Sequence, residues 1–308
     1  MVRADPMEGL AMAAWNGLLP IGGKRRPDLN GAVVVITGGA RGIGAATARL
    51  FAQQGATVWI GDVDAEVAAE TARGIPGAHA GRLDVTDRAS WTAFLSEVTA
   101  DSGPVDVLVN NAGVMPLGRF ETEAESTTDL ILDVNVRGML NGMRATIPSM
   151  VTRGRGHVVN VASMAGMIPI PGMLTYNASK FAALGASLGA RREYDGTGVA
   201  VCAILPAAVR TELSSGAQLG GALPTVDPED VAAAILDTLR TRAARTSVPK
   251  WVAPGWSLVE AFVPEPVERL ARRLAGDRRA LDVDGSARKA YTDRIERHAS
   301  AHAEEATR

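Results

Sequence analysis

Apolar runs alternate with segments of helical spacing from about residue 31 to residue 251. Most of the runs are rich in β-branched residues and end at glycine, proline or asparagine, which predicts strands. Because most runs are almost continuously apolar, the strands are expected to be buried on both faces, as in a parallel sheet. The predicted strands are "AVVVITGG" (32–39), "ATVWIGD" (56–62), "RLDVTD" as the end of a third (82–87), "VDVLVNNAG" (105–113), "GHVVNVAS" (156–163), "GVAVCAILP" (198–206) and "RTSVPKW" (245–251).

Helical periodicity fills the gaps between these runs. One segment, "AATARLFAQQGA", follows the first run, and the others cover 64–73, 87–101, 122–153, 175–194 and 227–241. In the last of these, Asp227 is the expected N-cap, Pro228 suits the first helical position and Asp230 favours the positive end of the helix.

Strands that alternate with helices predict an α/β fold with a doubly wound parallel sheet. The alternation covers a single predicted domain, residues 30–251, with an N-terminal extension (1–29) and a C-terminal extension (252–308). In the C-terminal extension, apolar residues at helical spacing predict an amphipathic helix with a basic polar face over 264–281. These residues are Val267, Leu270, Ala271 and Leu274. This helix is expected to pack on its own domain or on a second subunit, with a membrane-surface contact as the alternative, and the final segment 295–308 is expected to be frayed or disordered.

Composition narrows the class of protein. The 308-residue chain is 46% hydrophobic, enough for a sizeable core, and its formal net charge of −2 gives no basic field for nucleic acid. The single cysteine, Cys202, lies inside an apolar run and is expected to be a core side chain rather than a reactive thiol, which suits a cytoplasmic location. The first twenty residues lack a basic start and a clear cleavage site, so no signal peptide is expected.

A glycine-rich turn, "TGGARGIG" (37–44), lies between the first strand and the first helix. Gly38, Gly42 and Gly44 allow close approach of a phosphate to the backbone, and the helix that begins near Gly42 directs free N–H groups and positive charge at it. A plain tight turn is the alternative, but the strand–turn–helix context favours a dinucleotide site.

Asp62 ends the second strand, 24 residues after Gly38. A carboxylate there accepts hydrogen bonds from the ribose hydroxyls of the adenosine and repels a 2′-phosphate, which favours NAD over NADP. Arg41 in the glycine turn argues the other way, since an arginine could meet that phosphate. A solvated loop acid is the alternative for Asp62.

Several ordered motifs together resemble the short-chain dehydrogenase/reductase family in its single-domain, Rossmann-type form. The resemblance covers about residues 30–250. The motifs are the glycine turn, "DV" (84–85), "NNAG" (110–113), "VN" (134–135), Ser163, "YNASK" (176–180) and "ILPAAVRTEL" (204–213).

The resemblance implies roles for particular residues. Tyr176 is the implied general acid/base, Lys180 binds the nicotinamide ribose and keeps the phenol acidic, Ser163 holds the substrate oxygen, and Asn135 positions a water. A capping or loop amide is the alternative for Asn135. The other implied cofactor contacts are Ile43, Val63, Asp84, Val85, Asn111, Ala112, Gly113, Pro206, Val209 and Thr211, with no metal expected.

Elementary chemistry agrees with these roles. Hydride transfer to a carbonyl builds negative charge on oxygen, so a proton donor must lie within hydrogen-bond reach. A free tyrosine has a pKa of about 10, and a lysine four residues later lies on the same helix face, where its charge lowers that pKa. Tyr176 as an ordinary buried aromatic is the alternative.

The chain departs from the family pattern at one position near the cofactor, and two apolar segments bear on the substrate. The family usually has Pro-Gly where this chain has Pro206-Ala207, so an added methyl lies near the nicotinamide. The apolar segments 164–174 and 213–224 predict a lipophilic secondary alcohol or ketone, and glycines at 216, 220 and 221 predict a hinged lid. Core or interface packing is the alternative for these segments.

The resulting prediction is a cytoplasmic NAD-dependent oxidoreductase acting on a small alcohol or ketone, with no nucleic-acid partner. A homodimer or homotetramer is expected, because the helices at 136–151 and 177–191 are rich in Met and Ala. Two other functions remain open. One is an NADPH-dependent carbonyl or 3-oxoacyl reductase, and the other is a sensor or scaffold that binds NAD without turnover.

Overall fold

A seven-stranded parallel sheet forms the centre of the molecule. The computed structural model describes residues 29–216, 224–275, 281 and 285–306. The sheet order is β3-β2-β1-β4-β5-β6-β9, so the chain crosses from one half of the sheet to the other after β3. The strands are β1 (Val33–Thr37), β2 (Thr57–Asp62), β3 (Ala78–Arg82), β4 (Val107–Asn110), β5 (Gly156–Val161), β6 (Val199–Pro206) and β9 (Arg245–Val248), and β7 (Ala208–Val209) pairs separately with β8 (Thr225–Val226).

Helices cover both faces of this sheet, and the predicted doubly wound α/β fold is confirmed. The helices are α1 (Gly42–Gln53), α2 (Ala65–Arg73), α3 (Arg88–Ser102), α4 (Glu125–Leu132), α5 (Met139–Thr152), α6 (Leu174–Glu193), α7 (Pro228–Thr241), α8 (Val252–Phe262), α9 (Glu265–Ala275) and α10 (Gly285–Ala306). A π-helical stretch, Asp133–Gly138, joins α4 to α5 within the segment predicted as one helix.

The core has two layers because successive strand residues point to opposite faces. Val34 and Ile36 pack with Phe51 of α1 on one face, whereas Val35 packs with Trp91 of α3 on the other. Cys202 is fully buried in β6, as expected for a core side chain. At the start of α7, Asp227 and Asp230 form the capping box, and Pro228 takes the first helical position, as predicted.

The third strand lies earlier than most of its predicted run. β3 covers Ala78–Arg82, and "RLDVTD" forms the end of this strand and the loop that follows. The residues of β3 are only partly buried because it is an edge strand, and they are small or polar. The apolar pattern was therefore weakest at this strand.

The C-terminal extension contains α8, α9 and α10. The predicted amphipathic helix appears as α9, where Val267 and Leu270 are 56% and 59% exposed, and the predicted residues 276–280 lie outside the described ones. The expectation of a frayed or disordered segment at 295–308 is wrong for the described residues, because α10 extends to Ala306. In the parts of the chain that the structure describes, no helix is long and apolar enough to cross a membrane.

Candidate active site

A cavity of about 650 Å³ opens at the carboxyl ends of the strands. Parallel sheets of this order bind ligands at this edge, where the loops after neighbouring strands diverge. Almost every residue predicted for the site lines this cavity, and the two that do not are Gly44 and Asn135. Those that line it are Gly38, Arg41, Gly42, Ile43, Asp62, Val63, Asp84, Val85, Asn111, Ala112, Gly113, Ser163, Tyr176, Lys180, Pro206, Val209 and Thr211.

The glycine turn has the backbone geometry that only glycine adopts easily. Gly38 and Gly42 have φ values of 61° and 52°, in the left-handed region. A Cβ on Gly38 would lie 2.7 Å from Cα of Ala112, and a Cβ on Gly44 would lie 2.3 Å from the carbonyl oxygen of Gly38. The turn and the start of α1 therefore pack too closely for side chains, which leaves the N-terminus of α1 open to an anion.

Asp62 lies at the end of β2, where the sequence placed it. Its Oδ2 accepts a hydrogen bond from the amide of Ala40 at 3.1 Å, and its Oδ1 accepts one from the amide of Asp64 at 3.1 Å. Burial raises the pKa of the Asp62 carboxyl, while these two amide hydrogen bonds oppose the rise. Each carboxylate oxygen has a second lone pair, so a ribose hydroxyl still finds an acceptor.

Arg41 is already engaged by two carboxylates and is therefore not free to bind a 2′-phosphate. Its Nη1 lies 2.7 Å from Oδ2 of Asp64, and its Nε lies 3.8 Å from Oε2 of Glu212. Arg82 also lines the cavity, directly opposite Asp62 in the β2–β3 register. The cavity thus has, near Asp62, one arginine held by an ion pair and one exposed arginine.

Three side chains hold the loops that form the cavity floor. The Oγ1 of Thr37, at the end of β1, accepts hydrogen bonds from the amides of Asn111 and Ala112, both at 3.0 Å. The side-chain Nδ2 of Asn111 in turn donates to the carbonyls of Thr37 and Gly38. After β3, Oδ1 of Asp84 accepts from the amide and hydroxyl of Thr86. These bonds fix "NNAG" and "DV" against the cavity.

Ser163, Tyr176 and Lys180 come together at the other end of the cavity. Ser163 follows β5, its Oγ accepts a hydrogen bond from the amide of Ala165 at 3.1 Å, and its hydroxyl lies close enough to Tyr176 on α6 to act on the pKa of that phenol. The Nζ of Lys180 donates to the carbonyl of Val161 at 3.1 Å and lies 5.6 Å from the centre of the Tyr176 ring. The four-residue spacing of "YNASK" therefore puts the phenol and the ammonium group on one face of α6.

Burial acts on both ionisable groups of this pair. It raises the pKa of Tyr176 well above its ordinary value, and the neighbouring Ser163 hydroxyl opposes the rise. It lowers the pKa of Lys180 to about 8. Both shifts disfavour the charged forms, because a buried charge loses its hydration. The protein alone therefore favours a neutral phenol beside a lysine that titrates near physiological pH.

Asn135 stabilises the loop after β4. Its Oδ1 accepts from the amide of Val114 at 2.8 Å, and its Nδ2 donates to the Val114 carbonyl at 2.9 Å and to Oγ of Ser179 at 3.0 Å. A Cβ on Gly113 would lie 3.2 Å from this Oδ1 and 3.6 Å from Nζ of Lys180. Asn135 thus lies near Lys180 but does not line the cavity. Its water-positioning role stays a prediction.

Ala207, in place of the usual glycine, adopts an ordinary backbone conformation. Arg242 is the one non-glycine residue with positive φ among those described, so the extra methyl of Ala207 causes no strain of that kind. The amide of Ala207 donates to the carbonyl of Val248 at 2.9 Å. Thr211 follows β7, and its methyl group lies 3.2 Å from the position of a Cβ on Gly42.

The apolar segment before the tyrosine serves both uses that the sequence left open. Met164 and Met167 pack into the core, whereas Met173 and Ile170 pack around Tyr176 together with Met115. The segment 164–174 therefore contributes an apolar wall beside the phenol. Of the predicted lid at 213–224, residues 217–223, with two of its three glycines, lie outside the described residues.

Helix α10 supplies cavity residues that sequence reasoning missed: Tyr291, Arg294, Ile295, His298 and His302. The amide of Met115 donates to the Tyr291 hydroxyl at 2.7 Å, and His302 lies 2.7 Å from Asp133. Arg288 donates to the carbonyls of Leu213, Ser215 and Met115. Arg288, Tyr291, Ile295 and Ala299 are buried at helical spacing, but in the sequence they lie among charged residues, so the pattern gave no clear signal.

Comparison with known proteins matches residues 32–219 to the short chain dehydrogenase family model. A 2,5-dichloro-2,5-cyclohexadiene-1,4-diol dehydrogenase, LinX, of Sphingobium indicum is 37% identical over 191 residues, which are 61% of this chain and 76% of the relative. A 3-alpha-(or 20-beta)-hydroxysteroid dehydrogenase of Mycobacterium tuberculosis is 37% identical over 187 residues, 60% of this chain and 72% of the relative. The probable oxidoreductase EphD of the same species is 36% identical over 214 residues, 68% of this chain and 36% of the relative. Helix α10 lies beyond the residues that the family model matches.

Proposed function

Because this chain belongs to the short-chain dehydrogenase family and is an oxidoreductase, we propose that it interconverts a lipophilic secondary alcohol and its ketone with NAD. One observation carries the proposal. Ser163 and Tyr176, with Lys180 one turn along α6, face the same cavity as the glycine turn and Asp62. A proton-transfer group and a dinucleotide site thus share one space, as hydride transfer requires.

In the proposed reaction, Tyr176 takes the proton of the substrate hydroxyl as the carbonyl forms. Ser163 hydrogen-bonds the substrate oxygen and donates to it when that oxygen carries negative charge. NAD, held by the glycine turn and Asp62, would supply the hydride acceptor and a cationic ring near the phenol when bound. Lys180 adds a second positive charge, and together these charges offset the burial that keeps Tyr176 neutral.

The proposed preference for NAD follows from the ribose end of the cavity. The carboxylate of Asp62 would repel a 2′-phosphate, and Arg41 is engaged by Asp64 at 2.7 Å. Arg82 is the group that would favour NADP, and Asp62→Ala tests the balance. We expect this variant to lose about tenfold or more of the preference for NAD over NADP, since a like-charge repulsion disappears. A wild-type protein that binds NADP more tightly would favour the reductase alternative.

Apolar surroundings support a lipophilic substrate. Met115, Ile170 and Met173 pack around Tyr176. Two of the relatives are named for a chlorinated cyclohexadienediol and for hydroxysteroids, which are mainly apolar alcohols. Apolar pockets with few polar groups select such ligands. Equal turnover of short hydroxy acids with a free carboxylate would contradict this preference.

The reaction is tested by measuring the absorbance of the reduced nicotinamide that it forms. Cyclic and steroidal secondary alcohols are supplied with NAD or NADP to the native protein and to Tyr176→Phe. We expect turnover of the apolar alcohols and a loss of about 10²–10⁴-fold in kcat for the variant, because it retains the ring but lacks the oxygen that accepts the substrate proton. Dinucleotide binding without any turnover by the native protein would favour the sensor or scaffold alternative.

The assembly and location are also proposals. Leu174 and Phe181 are seven residues apart and lie on one face of α6. They are 54% and 44% exposed, which suits a homodimer or homotetramer through this helix. Sedimentation that shows only monomers would contradict it. A cytoplasmic location agrees with a single, buried cysteine.

A further inference from the structure

Helix α10 runs along the dinucleotide cleft from the catalytic end to the ribose end. Tyr291 contacts Met115, which packs beside Tyr176, and Arg294 contacts Glu212. His298 lies 3.9 Å from Asp64, two residues after Asp62. Successive turns of α10 thus meet successive parts of the cleft. Arg294 lies between the two ends, near the N-terminus of α1, where the pyrophosphate of the proposed cofactor would bind.

Arg294 belongs to a cluster of charges at the N-terminus of α1. Its Nη1 lies 2.8 Å from Oε1 of Glu212, and the Nε of Arg41 lies 3.8 Å from the other carboxylate oxygen. Glu212 follows Thr211, whose methyl group lies 3.2 Å from the position of a Cβ on Gly42. Two guanidinium groups therefore flank one carboxylate beside the helix end that attracts phosphates.

We propose that Arg294 is a phosphate-binding residue of this protein, which holds the dinucleotide pyrophosphate from the outer side of the cleft while Glu212 competes for it. The inference rests on the proposed dinucleotide cofactor. The side chain of Arg294 is only 21% exposed, so its charge is poorly screened by water. A guanidinium group has the planar donors that suit phosphate oxygens.

A purely structural ion pair is the competing explanation. In that case Glu212 and Arg294 only fasten α10 to the loop after β7, and removal of either partner would loosen the helix and weaken binding alike. If Arg294 instead binds phosphate, the two substitutions act in opposite directions. Arg294→Ala removes an attraction for the pyrophosphate, whereas Glu212→Gln removes a repulsion and a competitor.

The experiment measures dissociation constants by titration calorimetry on the full chain. NAD and ADP-ribose contain the pyrophosphate, and adenosine serves as the ligand without phosphate. We expect Arg294→Ala to weaken NAD and ADP-ribose by about tenfold or more, since hydrogen bonds to charged groups are the strong ones, and to change adenosine by less than about twofold. Glu212→Gln is expected to tighten both phosphate ligands, and Arg294→Lys to bind them with intermediate affinity.

Arg297→Ala is the matched control, because Arg297 is an exposed arginine on the same helix. It is expected to leave every affinity unchanged. Equal weakening by Arg294→Ala and Glu212→Gln would overturn the proposal, and so would a parallel loss of adenosine affinity. Unchanged ADP-ribose affinity in Arg294→Ala would overturn it as well. A native protein that binds neither dinucleotide nor ADP-ribose would instead refute the proposed cofactor.

Discussion

The candidate catalytic pair, Tyr176 and Lys180, and helix α10 border the same cavity but are held by different contacts. Tyr176 and Lys180 lie on α6, whose inner face packs on the sheet through apolar side chains. Helix α10 is fastened by a small apolar cluster around Leu130 together with polar contacts: Arg288 donates to three carbonyls, and Arg294 pairs with Glu212. We therefore expect the sheet and α6 to unfold as one cooperative unit, whereas α10 undocks at a lower free energy.

The largest effect should come from a methyl group placed in the body of the fold. In Gly44→Ala the new Cβ would lie 2.3 Å from the carbonyl oxygen of Gly38, so α1 must shift away from the turn. We expect a loss of about 3 kcal/mol in the free energy of unfolding, measured in urea, together with a loss of dinucleotide binding.

A glycine of the C-terminal extension provides the control for this change. A Cβ on Gly285, the first residue of α10, meets no atom within 4 Å. Gly285→Ala should change stability by less than about 0.5 kcal/mol. Equal losses for the two variants would show that α10 is packed as tightly as the turn and would remove the contrast between the regions.

The next effect tests whether α10 undocks on its own. Arg288→Ala removes the donor from the carbonyls of Leu213, Ser215 and Met115, and we expect it to destabilise the docking of α10 by about 2–3 kcal/mol. Hydrogen exchange should accelerate in α10 and remain slow in β1 and β4.

Lys289→Ala is the matched control on the neighbouring residue. Lys289 makes an exposed pair with Asp293 at 2.8 Å, and such surface pairs contribute little. Its removal should leave exchange in α10 unchanged within error. Faster exchange throughout the sheet in Arg288→Ala would mean that α10 and the body unfold together.

A third prediction concerns the free energy of unfolding that is lost because the charge of Lys180 is buried. Burial lowers the pKa of Lys180 to about 8, so between about pH 8 and its unfolded value of about 10.5 the unfolded chain binds more protons and stability rises with pH. Lys180→Met lacks this penalty. We expect it to be more stable by about 2 kcal/mol at pH 7, after allowance for the lost hydrogen bond to Val161.

Urea unfolding at pH 7 and at pH 9.5 measures this difference. The advantage of Lys180→Met should be full below about pH 8 and shrink as the pH approaches 10.5, because the lysine of the native protein is then neutral in both states. Activity should be lost at both pH values. A variant that is less stable at pH 7 would mean that Lys180 gains more from its contacts than it loses by burial.

The same contrast explains what sequence could predict. Gly38 and Gly42 adopt positive φ, and Tyr176 and Lys180 need a four-residue spacing on one helix. Both are local requirements that restrict residue type, so the turn and "YNASK" were visible in the chain. The continuous apolar runs likewise revealed the strands that are buried on both faces.

Helix α10 has no comparable local requirement. Tyr291 meets Met115 across 176 residues of sequence, and nothing in either segment specifies that contact. Its buried stripe of Tyr291, Ile295 and Ala299 is narrow and lies among charged residues, so it resembles a solvated tail. Ordinary residues became cavity residues only through tertiary placement, and this kind of site is not predictable from a single sequence.

The smallest predicted effect isolates one hydrogen bond between the two regions. Tyr291→Phe keeps the ring, and with it the contacts to Leu130 and Ile295, but removes the acceptor of the Met115 amide. Met115 is buried, so its N–H is left without a partner, and we expect a loss of about 1 kcal/mol together with faster hydrogen exchange at that amide. Tyr194→Phe, on a partly buried tyrosine at the end of α6, serves as the control and should change stability by less than about 0.5 kcal/mol. If exchange at Met115 is the same in Tyr291→Phe as in the native protein, the hydroxyl does not fasten α10 to the loop after β4, and the docking of the helix depends on Arg288 and the ion pairs instead.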